Sequence, residues 1–198
     1  MANIDNPRGL TVDKRTIGKD SITPYYVPAS YGTALFIGDP VLVTGDGNAA
    51  ATKGYEIGTL SAINKAGVTG ACTGTIVGFM PDFDQPNRLH NLASTERVAL
   101  VCDDPHAEFL IQAAGTLTAA MVGMNADMIF THAGNALTGI SGVELSTAGT
   151  VPAVTATFPL KILGLDTDVN NSDISAANSN VRVKINNHTF GTAVVGIA

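Results

Sequence analysis

The sequence predicts an all-β protein: a small β-barrel or sandwich with an extended N-terminal arm and at most one or two short helices. Three observations carry this. Apolar, strand-prone patches recur between turn signals at a spacing of about 8–12 residues. Twenty-one Gly among 198 residues, with many Ala and Thr, suit short strands and tight turns over long helices. The stretch from Ala34 to Asn48 sets two β segments on either side of a Gly38-Asp39-Pro40 corner and ends in the dense turn Gly45-Asp46-Gly47-Asn48. Such a kinked pair suits the bend of a small barrel better than a flat sheet.

Hydrophobic residues make up 45% of the chain and charged residues 14%, which excludes disorder. So low a charge density points to a surface partly covered by partners, and hence to an assembly component. The net charge is −6, and the 11 Lys and Arg are scattered with no basic stripe. Nucleic acid and anionic membranes are therefore not expected partners. The start of the chain lacks the apolar core of a signal peptide, and no run of 18 apolar residues predicts a transmembrane helix. Cys72 and Cys102 sit in apolar, strand-like contexts. They read as two buried free thiols of a protein made in a reducing cytosol.

Residues 1–33 read as the arm. Asn6-Pro7-Arg8-Gly9-Leu10 is a turn, and Thr11 to Asp20 is polar without helical period. Tyr25, Tyr26 and Val27 lie between Pro24 and Pro28, followed by Tyr31; prolines confine such a segment to an edge strand or a surface run. These side chains are costly to leave in water, so the arm is expected to dock on a neighbour or across its own barrel. Asn6, Pro7, Arg8, Leu10, Tyr25, Tyr26, Val27 and Tyr31 are the candidate partner-binding residues.

Residues 34–198 read as the β-barrel-rich domain. Strands are expected at Tyr55–Leu60, Ala62–Ile63, Cys72–Phe79, Arg97–Cys102 and Ala107–Gln112, with a polar loop at Met80–Asn91. Leu117–Val122, capped by Thr116 or Thr118 and closed by Gly123, is the best short helix. Met128–Thr131 returns to strand. A hairpin is expected around Gly142-Val143-Glu144-Leu145 within 133–150, which with 80–91 is the candidate internal boundary. Val154–Leu165 is a long apolar run. Val181-Arg182-Val183-Lys184-Ile185-Asn186 alternates apolar with polar and is the clearest half-buried strand.

Chemistry-bearing groups gather at Asp103, Asp104, His106 and Glu108, a residue set a metal-assisted hydrolase could use. The competing reading is an acidic turn between strands. No HExxH, CxxC, G-x-S-x-G, Walker or dinucleotide fingerprint is present, so the sequence predicts no catalytic residues, no cofactor and no metal site.

Three segments, MANIDNPRGL, NADMIFTHAGNALTGISGVELSTA and VRVKINNHTFGTAVVGI, resemble small structural proteins of tailed bacteriophages: the capsid decoration or cement proteins. The resemblance implies a β-barrel-rich virion protein on the outer face of the capsid, made in the cytoplasm of a bacterial host. It would bridge adjacent subunits of the major capsid protein and associate with copies of itself as a dimer or trimer. In that family the Asn6-Pro7-Arg8-Gly9 start would be the arm. A tail or baseplate component is the structural alternative.

Overall fold

The computed structural model describes residues 3–13, 22–82, 86–149 and 151–191. Two β lobes each enclose a hydrophobic core of their own. The first is built from β2 (Ile22–Val27), β3 (Pro40–Gly47), β4 (Ser61–Lys65), β5 (Gly74–Phe79) and β6 (Arg97–Cys102). Pairing runs β2-β4-β3-β5-β6, and β6 returns to β2 along the whole of β2. The ring closes at a single parallel pair, Tyr26 against Ala62, so it is barrel-like with one thin seam. Register shifts between Ile76 and Gly78 and between Val43 and Gly47 bend the strands enough to curl the sheet.

The second lobe is a five-stranded antiparallel sheet in the order β1 (Thr11–Val12), β7 (Glu108–Gln112), β12 (Asn180–Ile185), β11 (Leu160–Leu165), β8 (Asn125–Ala126). The pair β9 (Met128–Ile129) and β10 (Glu144–Leu145) packs beside it. Val181, Val183 and Ile185 are buried and alternate with half-buried Arg182 and Lys184, as the period-2 pattern predicts. Tyr25, Val27, Leu35, Val41, Ile63 and Ile76 fill the ring. Phe109, Ile111, Leu145, Leu160 and Ile162 fill the sheet lobe, joined by Cys72 and Cys102 from the ring strands.

The all-β expectation holds. The predicted helix at Leu117–Val122 shrinks to a 3₁₀ turn at Ala119–Met121, ended by Gly123 at φ +91°. The predicted 133–150 hairpin is replaced by a two-residue strand whose partner, Met128–Ile129, lies before that segment. The boundary expected at residue 33 does not divide the described structure. β2 is a full member of the ring, and Leu10 is buried with the sheet-lobe core. Pro24 is tolerated because β2 is paired throughout on its β6 side but on its β4 side at Tyr26 alone. The segment 133–150 is no boundary either. Ile140 bridges to Ile37 of the ring and Leu145 to Ala113 of the sheet lobe.

The lobes meet at the Gly38-Asp39-Pro40 corner. The Leu10 N–H donates to the Gly38 carbonyl at 2.9 Å, and Gly9 packs so close that a Cβ there would lie 2.2 Å from the same oxygen. Asp39, wholly buried, accepts from the Phe36 N–H (2.9 Å) and the Ser141 hydroxyl (2.6 Å) and pairs with Lys65 Nζ (2.8 Å). Gly38 is at φ +90°, and a Cβ there would meet the Arg8 carbonyl oxygen at 2.3 Å. Gly45, at φ +85°, faces open space. Gly45→Ala therefore incurs backbone strain alone, about 1 kcal/mol, whereas Gly38→Ala adds a backbone collision and costs more than about 2 kcal/mol. Urea denaturation of the two variants measures the difference; equal losses would contradict the close-approach account.

Candidate interaction surface

The eight candidate partner-binding residues part into two groups. Asn6 and Arg8 are exposed, and Pro7, Tyr26 and Tyr31 are half-buried. Leu10, Tyr25 and Val27 are 1%, 5% and 0% exposed, so they are core residues closed to a partner, which corrects the expectation for those three. The reason is strand alternation: with β2 paired to β6, Tyr25 and Val27 point into the ring. Of the two dockings expected for this segment, on a neighbour or across its own barrel, the described residues make the second. The Asn6 N–H donates to Gln112 Oε1 at 2.9 Å, Gln112 Nε2 donates to Asp5 at 2.8 Å, and the Leu10 carbonyl accepts from the Thr75 hydroxyl at 3.0 Å. A cleft of about 390 Å³ runs between this segment and the Asx-rich loop at Asp166–Asn171, with Asn6 and Arg8 on its wall.

The acidic run spreads into structural roles. Asp103 accepts from the Thr23 hydroxyl (3.1 Å) and the Tyr25 hydroxyl (2.8 Å). Burial, then the bond to Asp103 and its charge, hold the Tyr25 phenol well above its usual range. Asp104 accepts from the His106 N–H at 2.7 Å, and Glu108 faces Arg182 at 3.3 Å. Among the described residues no three His, Cys, Asp or Glu side chains gather as a metal ligand set. Cys72 and Cys102 are buried free thiols, as predicted, and burial pushes the Cys72 thiol up to about 12.

Two organising residues escaped the sequence reading. Arg97 is 7% exposed and holds the loop ahead of its strand, donating to the carbonyls of His90 (2.8 Å), Arg88 (3.0 Å) and Met80 (3.4 Å) while lying over the Phe79 ring at 4.9 Å. Glu144, 2% exposed, is bound by His132 Nδ1 at 2.7 Å. A charge at the head of an apolar strand, and one inside a turn-rich segment, are the only sequence signals for them.

The loops carry most of the exposed apolar residues. Leu137 is 91% exposed, Val169 82%, Ile57 66% and Phe190 60%. Asn135 Oδ1 fixes the first tip by accepting from the N–H groups of Leu137 and Thr138, and Asp168 Oδ1 fixes the second by accepting from the Val169 N–H at 2.6 Å.

His90 stacks on Phe36 with ring centroids 4.9 Å apart, and His188 Nδ1 accepts from the Phe190 N–H at 3.0 Å. Burial lowers both imidazoles below the usual histidine range, and for His90 the charges of Arg88 and Arg97 add to it. The unfolded chain therefore takes up protons at higher pH than the folded one. The contribution of these neutral imidazoles is present above about pH 6.5 and is lost as pH falls through the folded values. The melting temperature of the protein should fall between about pH 7 and pH 5, less steeply in His188→Gln. A flat profile over that interval would refute the burial argument.

Comparison of the chain with protein-family models, with curated proteins and with solved structures gives no match.

Proposed function

We propose that this chain is a virion structural protein of a tailed bacteriophage that decorates the outer surface of the capsid and bridges adjacent major capsid subunits. The observation that carries the reading is the set of apolar side chains held out on separate, hydrogen-bonded loop tips, Leu137 and Val169 foremost. Apolar side chains more than four-fifths exposed and fixed in place on several tips offer contacts that a partner can bury together. Contacts of modest size, on the order of 800 Å² per partner, suffice when a symmetric lattice repeats them. The acidic run fits this role as scaffold, since its carboxylates tie strand ends together. The resemblance of three segments to decoration proteins points the same way. The contact residues in this reading are the loop tips together with exposed Asn6 and Arg8 and half-buried Tyr26 and Tyr31; copies of the chain are the second partner.

Co-sedimentation with expanded, empty shells of the same virus tests it. The protein should pellet with the shells and raise their melting temperature. Leu137→Asp combined with Val169→Asp should weaken that binding at least about tenfold, since each removes an apolar contact and buries a charge, while the free protein melts unchanged. A protein that stays in the supernatant, or labels the tail in electron micrographs, would overturn the capsid assignment.

A further inference from the structure

The thin seam of the ring holds a pocket of about 240 Å³ lined by Tyr26, Pro28, Ser30 and Tyr31 from β2 and the segment after it and by Asp46 and Asn64 from β3 and β4. We infer that this pocket binds a single neutral pyranose unit of a glycan, with the aromatic side chains against the apolar face of the sugar and the polar side chains against its hydroxyls. The pocket exists because β2 and β4 pair at one register alone, so the strands part on either side of Tyr26 and Ala62.

Its lining is of two chemical kinds. The tyrosines are already anchored: the Tyr26 hydroxyl donates to Glu96 at 3.2 Å, and the Tyr31 hydroxyl accepts from the Lys65 N–H at 3.0 Å. Ligand binding therefore costs little ordering of those side chains. The polar side chains are the reverse. Among the described residues, Ser30, Asp46 and Asn64 make no side-chain hydrogen bond within the protein, leaving a hydroxyl, a carboxylate and an amide for a ligand. A fixed aromatic surface beside uncommitted acceptors and donors matches a molecule with a C–H face and a rim of hydroxyls. The volume limits the occupant to about one ring. The Asp46 carboxylate disfavours an acidic sugar by like-charge repulsion. The pocket shares Tyr26 and Tyr31 with the proposed capsid contacts but none of the loop tips, and a free sugar tests it on the free chain, so its failure is distinct from failure of the capsid reading.

Titration of the isotope-labelled full chain with glucose, galactose and N-acetylglucosamine, read by amide chemical shifts, tests it. At least one of these should give saturable shifts centred on Tyr26, Tyr31, Asp46 and Asn64, and glucuronate should bind at least about tenfold more weakly than that sugar. Asp46→Ala with Asn64→Ala should lose the response at least about tenfold while keeping the parent melting temperature; Tyr31→Leu should lose it as well. Three results would overturn the inference. One is the absence of saturable shifts with all three neutral sugars. Another is glucuronate or a proline-rich peptide binding as well as the best of them. The last is a double variant that binds like the parent.

Discussion

The carboxylate of Asp39 is the constraint on which the fold depends. It is buried to 0% exposure, where an unpaired charge is prohibitive, so every group around it must stay in place. Lys65 comes from the end of β4, Ser141 from the segment between β9 and β10, and the Phe36 N–H from the approach to the corner. The Asp39 carbonyl accepts from Ile76 N–H of β5 at 3.0 Å, and the neighbouring Gly38 carbonyl takes Leu10. One residue thereby sets ring strands, the N-terminal segment and the sheet lobe relative to each other. Lys65 extends the link, since its ammonium also lies over the Phe130 ring at 4.7 Å, against the sheet-lobe core.

Much of the architecture was legible where the signal is local. The strand at Asn180–Ile185 reads directly from alternation, because its burial alternates in the same way. The corner at Gly38-Asp39-Pro40 reads from turn chemistry. What Asp39 does there does not, because Ser141 is 102 residues away and only the fold brings it near. The described part of residues 1–33 does not stand apart as an arm, for a physical reason. Two prolines flank Tyr25–Val27 and confine the segment to an edge strand or a surface run; β2 is nearly such an edge strand, accepting Pro24 because its second side is nearly unpaired, yet it completes the ring. The same alternation that identified the last strand separates Tyr25 and Val27, pointing in, from Tyr26, half-buried at the seam. The seam pocket was not legible at all. Asp46 and Asn64 are brought to one place by the pairing of β3 with β4, and Leu42 opposite Asn64 fixes that register.

The molecule joins a stiff interior to varied loop chemistry. Among the described residues, the edge strands β1 and β8 are two residues each, which leaves the sheet lobe short edges. Most apolar and exposed side chains sit on loops, and Asx hydrogen bonds hold the two most exposed, Leu137 and Val169. Reactive groups are withdrawn: both thiols are buried, and the acidic run is committed to strand ends. That distribution suits recognition by surfaces and pockets on a body that keeps its shape.

The most direct test of this account is the stability of Asp39→Ala, with amide hydrogen exchange followed at Leu10, Ile37, Ile76 and Ser141. Removing the carboxylate leaves Lys65 and the Ser141 hydroxyl without their partner. The account predicts a loss of about 3–5 kcal/mol together with faster exchange at those four amides on both lobes. A loss below about 1 kcal/mol with all four amides still protected would show that the lobes are held together by something other than this corner.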